Sequence, residues 1–137
     1  MEIIYLKPND LEETIALLKE NFPNSSFQNN INFSKIEPNN MVIIAKYDNH
    51  IIGHTLIQKQ YDIYSDCYYF YLMYICVKME YRNLGCATKM LEKVEQLKKE
   101  QNISYITFTS RKTRVEANQL YQKLGYQLKD SNVYIKF

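Results

Sequence analysis

The chain has 137 residues, a net charge of +2, and a composition that is 46% hydrophobic and 23% charged. That suits one globular domain over residues 1–137, and the interspersed charges give no sign of a nucleic-acid or membrane surface. No apolar run approaches the ~20 residues of a membrane span, and the N-terminus lacks the basic start, apolar middle and cleavage site of a signal peptide, so the sequence reads as cytoplasmic.

Residues 1–6 read as a strand stopped by Pro8. Asn9 and Glu12 form a capping-box-like start for an amphipathic helix over residues 10–22, with Leu11, Ile15, Leu18 and Phe22 at helical spacing. Residues 23–40, rich in Asn, Ser and Pro, read as a loop with a short helix in it or as a segment over a site. Residues 41–47 and 51–60 form a hairpin around the turn Asp48-Asn49. Residues 67–77 are a β-rich run of Tyr, Phe, Ile and Val. A helix follows over residues 84–100, with Ala87, Met90, Leu91, Val94 and Leu97 on one face. Residues 103–109 are another strand. Thr113 and Glu116 make a capping box for a helix that ends at Gly125, and residues 126–137 read as two short strands. Strands and helices mixed in this way give an α/β (α+β) domain with a mixed sheet.

Cys67, Cys76 and Cys86 form no C-x-x-C and no metal-ligand spacing. They read as small reduced residues, and no metal is expected. Thirteen tyrosines are more informative. Tyr61, Tyr64, Tyr68, Tyr69, Tyr71 and Tyr74 cluster, with Tyr69 and Tyr71 on one face of their strand and Tyr68 and Tyr74 on the other. Strand propensity with core packing explains such a cluster. So does a pocket for a cationic amine or the interface of a homodimer.

The strongest local signal runs from Val77 through Arg82-Asn83-Leu84-Gly85-Cys86-Ala87-Thr88. A buried strand ends and a helix begins, and the first amides of a helix lack intrahelical acceptors while its dipole favours an anion. Gly85 removes a Cβ from the approach, Arg82 adds charge and Thr88 a hydroxyl. Neither G-x-x-x-x-G-K-[ST] nor G-x-G-x-x-G is present. Read without further context, the stretch is an anion site or simply a loop with a glycine at a helix start.

Arg82-x-x-Gly85-x-Ala87 resembles the Q/R-x-x-G-x-G/A motif of the GNAT N-acetyltransferases, and Arg114-x-x-Ala117-x-x-Leu120-Tyr121-x-x-x-Gly125-Tyr126 resembles their later Y-x-x-x-G-[FY] motif. The two stand in the family's order, and the whole chain fits its element order. The resemblance implies a GNAT fold: a mixed, mostly antiparallel central sheet with flanking helices, in the order β-α-(α)-β-β-β-α-β-α-β-β. It implies acetyl-CoA as co-substrate, with its pyrophosphate on the loop from Arg82 to Thr88. The pantetheine arm would pair with Ile75, Cys76 and Val77, in a splay between that strand and residues 103–109. Arg114 and Asn118 would meet the cofactor from its other side, and many relatives carry Asn at the Arg114 position. Tyr121 aligns with the family tyrosine that protonates the departing thiolate.

At one position the sequence departs from the family: Met73 stands where many relatives carry a catalytic Glu. Water, His54, Glu80 or Tyr74 would have to serve in its place, and none is assigned as the base. The expected reaction is acetyl transfer to a primary amine by direct attack in a ternary complex, with a small-molecule acceptor preferred over a peptide or protein. A nucleophilic cysteine is not expected. Glu37, Asp62 and Asp66 are acidic residues that would suit a cationic acceptor. An acyl-CoA-binding module with little catalysis, and a partner protein using the tyrosine-rich sheet, are the rival readings.

Overall fold

In a computed structural model, which describes residues 1–23, 31–36 and 38–137, the β-branched and aromatic runs become five strands. They are β1 (Glu2–Tyr5), β2 (Asn40–Tyr47), β3 (His50–Asp62), β4 (Cys67–Val77) and β5 (Tyr105–Phe108), hydrogen-bonded in that spatial order. The first four are antiparallel neighbours. β5 joins β4 in parallel, as it must after a helical crossover. The β2–β3 turn has Asp48 and Asn49 at φ +49° and +64°, the two left-handed residues of a type I′ hairpin.

Helices cover both faces. The period-2 pattern of the central strands sends Val42, Ile44, Ile51 and Cys76 to one face, where Leu17 of α1 (Leu11–Asn21) packs. Ile43, Ile52, Ile57, Phe70, Leu72, Ile75 and Val77 go to the other, under Met90, Leu91, Val94 and Leu97 of α2 (Cys86–Glu100). Each fully buried aliphatic side chain there contributes roughly 1.5–3 kcal/mol. The third helix, α3 (Val115–Lys123), is anchored by Tyr121, whose ring meets Phe108 of β5 edge-on at 4.8 Å. Among the described residues, no helix is long and apolar enough to cross a membrane.

Several boundaries differ from the sequence reading. α1 is preceded by a single 3-10 turn, Pro8–Asp10, and its N-cap is Asp10 rather than Asn9. The Asp10 carboxylate is buried, accepts from the Lys7 amide and pairs with Lys46 at 3.1 Å, which fixes the start of the helix against β2. α2 begins at Cys86 because Asn83 and Gly85 are both left-handed, a conformation no helix propagates. The Thr113–Glu116 capping box does not form. Arg114 is the N-cap of α3 and makes no side-chain cap bond; its guanidinium is drawn across to β4 instead. Residues 24–30 and Glu37 lie outside the described residues; the described part of the 23–40 segment holds one 3-10 turn, Phe33–Lys35.

The largest correction is at the C-terminal end. Residues 126–137 form no strand. Gly125, at φ +95°, ends α3 as the sequence predicts, and Tyr126 is tied back to Tyr121 O at 3.0 Å. Beyond that point the chain runs clear of the sheet, and alternation without a neighbouring strand is not enough to make one.

Gly53 on β3 sets how closely α2 approaches the sheet. A Cβ at this position would lie 2.9 Å from Cys86 Sγ and 3.0 Å from the end of the Met90 side chain. Gly53→Ala is therefore expected to cost roughly 1–3 kcal/mol of stability, the usual range for overpacking. Urea unfolding would measure it, and an unchanged midpoint would mean that Cys86 and Met90 give way freely.

Candidate functional site

The site is built on a break in β4. His54 pairs with Cys76 and Leu56 with Met73, so Thr55 alone faces both Tyr74 and Ile75. This is a β-bulge, and the extra residue, Tyr74, sits at φ +54°, a conformation that costs a bulky residue on the order of 1–2 kcal/mol. His54 holds it there. Its Nδ1 lies 2.8 Å from the Tyr74 carbonyl, which can only accept, so Nδ1 carries the proton. Burial pulls the His54 imidazole below its ordinary pKa, outweighing the opposite effect of that hydrogen bond. A buried imidazole committed to a backbone carbonyl positions the strand and is not placed to collect protons from an acceptor.

Beyond the bulge β4 loses its parallel neighbour. β4 and β5 pair only from Tyr69–Tyr105 to Leu72–Phe108, where β5 ends, which leaves an unpaired stretch of β4 where the family resemblance implies a splay. Lys78 donates to Ile52 O, so in the antiparallel alternation Val77 and Ile75 turn their backbone groups away from β3, towards the splay. Two arginines occupy the carbonyls on this edge. Arg114 Nη1 and Nη2 both lie 3.2 Å from Ile75 O, and Arg82 Nε lies 3.1 Å from Val77 O. The edge thus presents N–H groups beside two guanidinium charges, a surface that favours acceptors and anions.

The loop after β4 adds more donors. The first α2 bond is from Lys89 N to Gly85 O, so the amides of Gly85, Cys86, Ala87 and Thr88 have no backbone acceptor among the described residues. A Cβ built on Gly85 meets nothing within 4 Å, so the space beside the Gly85 Cα is open. Arg82 is clipped inward, with Nη2 bonded to Asn21 Oδ1 at 2.8 Å, and joins the loop to the end of α1. Asn83 and Leu84 are exposed.

Tyr121 is buried, and burial raises its pKa against the pull of the nearby Arg114 charge, so the phenol is a protonated donor at neutral pH. Cys76 also lies close enough to affect it. Burial pushes the Cys76 thiol up to about 12 and that of Cys86 to about 11; neither supplies a thiolate nucleophile near neutral pH. Ser110, two residues past β5, has a buried hydroxyl with no hydrogen-bond partner among the described residues.

Not every predicted residue turns towards this opening. The Asn118 side chain donates to Arg111 O at 2.9 Å and braces its own loop. The Thr88 side chain lines another groove, with Leu91, Leu124 and Tyr126. Tyr61, Tyr68, Tyr69 and Tyr105 form a surface ladder at the far end of the sheet, tied to Asp66, Gln60 and Asp62. Tyr74 instead meets Phe22 edge-on at 5.1 Å, and the Arg114 guanidinium lies over the Phe22 ring, 5.3 Å from its centroid. Asn21 and Phe22, at the end of α1, were invisible as site residues because nothing in a helix sequence says what its C-terminus will touch. Among the described residues, no group of three or more His, Cys, Asp or Glu is placed to hold a metal ion.

A family model described as the Acetyltransferase (GNAT) family matches residues 9–126. The sequence finds no match among curated proteins. Among solved structures, the chain is similar to a transcriptional regulator from Bacillus halodurans C-125 (19% identity, TM-score 0.88, 99% of each chain covered). It is also similar to an aminoglycoside acetyltransferase from an uncultured soil metagenomic sample (19% identity, TM-score 0.84, covering 99% of this chain and 94% of the other). A third is glucosamine-6-phosphate N-acetyltransferase from Arabidopsis thaliana (14% identity, TM-score 0.82, 99% and 97%). At these identities the structural likeness establishes the fold.

The buried His54 makes stability depend on pH. Its folded pKa is lowered, so below the unfolded value of about 6.5 the unfolded chain binds a proton that the folded chain resists. The His54 contribution is complete above that value and is lost as pH falls from about 6.5 towards the folded pKa, at up to about 1.4 kcal/mol per pH unit. His54→Gln, which keeps a donor for Tyr74 O, is expected to flatten that part of the profile. Urea unfolding from pH 7.5 to 5 would show it, and parallel profiles for the two proteins would refute it.

Proposed function

Because the chain belongs to the GNAT acetyltransferase family, we propose that it transfers an acetyl group from acetyl-CoA to a primary amine by direct attack in a ternary complex. The observation that carries this reading is the splay: the N–H groups of Ile75 and Val77 and the free first amides of α2 flank one opening, and Tyr121 is buried beside it.

The residues present fit acetyl-CoA. The space beside the Gly85 Cα is open, and a pyrophosphate on the helix-start amides needs backbone donors and no Cβ there. Beside it runs a strand edge whose N–H groups suit an extended amide-bearing arm. When bound, acetyl-CoA supplies a thioester whose carbonyl carbon takes the amine and whose thiolate departs. Arg82 keeps the loop against Val77, and Arg114 lends positive charge close to Tyr121. The Tyr121 hydroxyl donates its proton to the departing sulfur. The bulge aims backbone donors at the oxygen on which charge develops.

Deprotonation of the amine falls to water or to a side chain from the acceptor side. Met73 has no basic atom, and His54 is spent on Tyr74. Glu20, exposed at the end of α1, is near enough to act on the Cys76 thiol and is the carboxylate that the sequence reading passed over. The names of the solved relatives, an aminoglycoside and a glucosamine-6-phosphate acetyltransferase, support a small-molecule amine as acceptor. The replacement of Glu by Met73 is the one feature that favours an acyl-CoA-binding module with little turnover.

Two variants test the reading. Gly85→Glu fills the open space with a negative charge and is expected to abolish acetyl-CoA binding in calorimetry, with circular dichroism confirming the fold. Wild-type protein that does not bind acetyl-CoA would remove the proposal. Tyr121→Phe is expected to retain acetyl-CoA affinity while kcat on the best amine of a panel falls by roughly a hundredfold or more, the contribution of a general acid. An unchanged kcat would take that role from Tyr121.

A further inference from the structure

The sheet face on the α1 side extends beyond that helix. Phe70 and Leu72 of β4 belong to the core under α2, so by alternation Tyr69 and Tyr71 turn to the opposite face. The register sets Gln60 and Tyr105 beside Tyr69, and Gln58 and Thr107 beside Tyr71. None of these residues belongs to the cluster that α1 covers. Tyr69 and Tyr71 are partly exposed, and Tyr105 is 39% exposed.

These side chains hold one another in place. The Tyr69 and Tyr105 rings stack at 4.7 Å, within 4° of parallel. The Tyr69 hydroxyl donates to Gln60 Oε1 at 2.6 Å, and Gln60 Nε2 lies 3.4 Å from Gln58 Oε1, which leaves Gln58 Nε2 as a donor without a partner among the described residues. The Tyr105 hydroxyl donates to Asp62 Oδ2 at 2.8 Å, while the Tyr64 and Ser65 amides take Oδ1. The bond from Tyr105, and after it the Ser65 amide, hold the Asp62 carboxyl below its ordinary pKa, so it is charged at neutral pH. No cation is paired with it among the described residues. Over residues 56–62, 67–73 and 105–107, no lysine or arginine points to this face, because Lys59 alternates to the other. The Tyr71–Thr107 pair adjoins Leu72–Phe108, the last rung before the opening, and at a strand's rise Tyr69 lies about 10 Å from that rung.

We propose that this face is the acceptor subsite, and that it takes an amine-bearing sugar of at least two rings, with one amine at the opening and a second ring's ammonium at Asp62. The inference rests on the acetyltransferase reading and names the substrate class for it. Charge decides the sign of the ligand: Arg82 and Arg114 make the opening a place for anions, whereas this face offers a carboxylate and aromatic rings and no cation, which suits an ammonium. The neutral groups decide its shape. The C–H face of a sugar ring packs on a tyrosine ring, and its hydroxyls meet the phenol and amide groups of Tyr69, Gln58 and Gln60. A linear polyamine would leave those amides unmatched. A peptide would find no main-chain partners, since the backbone under this face is already paired within the sheet. Hydroxyls on neighbouring carbons also withdraw electrons from a sugar amine and make it less basic, which fits a site with Met73 in place of a carboxylate.

The test is calorimetry on the full chain, first with acetyl-CoA, then with CoA bound and three probes: the two-ring glucosamine disaccharide, single-ring glucosamine and spermidine. The disaccharide is expected to bind about tenfold or more tighter than glucosamine, the effect of one charge-assisted hydrogen bond, and tighter than spermidine. Asp62→Asn keeps an oxygen for the turn amides and is expected to erase the advantage of the disaccharide over glucosamine. In steady state the same variant is expected to raise KM for the disaccharide far more than it lowers kcat. Tyr105→Leu, which removes the outer ring of the stack, is expected to weaken the disaccharide as well, and acetyl-CoA affinity reports whether each variant is folded. A wild type that binds no acetyl-CoA removes this inference together with the acetyltransferase reading. Acetyl-CoA binding without a disaccharide advantage, an advantage that survives Asp62→Asn, or tighter binding of spermidine overturns this inference alone.

Discussion

The bulge at Tyr74 is the constraint on which the rest of the site depends. Without the extra residue, β4 would keep a regular register against β3, and the alternation established by Phe70 and Leu72 would place Tyr74 and Cys76 in the α2-facing core. With it, Ile75 and Val77 take that face and Cys76 turns to the α1 side. The same single-residue insertion bends the strand away from β5. Thus one left-handed tyrosine both preserves the core and opens the gap. The strain is met locally by the His54–Tyr74 hydrogen bond, which explains why a polar imidazole occupies the buried part of β3. It is a structural histidine whose effect on function is through geometry.

The opening has a single electrostatic character. Where a regular edge strand would alternate donors and acceptors, Arg82 and Arg114 have taken up the two carbonyls and left the N–H groups. Each guanidinium also ties in an element that would otherwise be independent: Arg82 reaches Asn21 of α1, and Arg114 starts α3 and lies over Phe22. The three helices are therefore joined at the splay through two charged side chains. Because both arginines are bonded to backbone, their charge is held in place with no carboxylate ion-paired to it among the described residues, and the helix-start amides add to it. A ligand with phosphates at one end and amides along its length matches this arrangement, whereas a cation would be repelled by it.

What was legible in the sequence follows from which interactions are local. Alternation and helical spacing located all five strands and three helices of the sheet-and-helix framework, and Gly125 is left-handed where a helix-ending residue was called for. The loop glycine could be read from its missing Cβ at a helix start, and its positive φ is what the structure adds. The bulge could not, since Tyr74 is not a residue type that advertises positive φ, and its stabilising partner lies twenty residues away. The Thr113 cap failed for a related reason: a long-range attraction of Arg114 to Ile75 O decided where α3 starts. The terminal strands failed because a strand is defined by its neighbour.

The substitution at position 73 shifts the chemical burden within the proposed reaction. With Met in place of a strand carboxylate, the enzyme has less means to strip a proton from an acceptor that arrives charged. A lysine-like amine, with a pKa of about 10.4, is neutral in roughly four molecules per ten thousand at pH 7, whereas an amine with a pKa near 8 is neutral in about one in ten. That difference of over two orders of magnitude is comparable to what a general base contributes. A site that relies on water or on the exposed Glu20 therefore works best on a weakly basic amine.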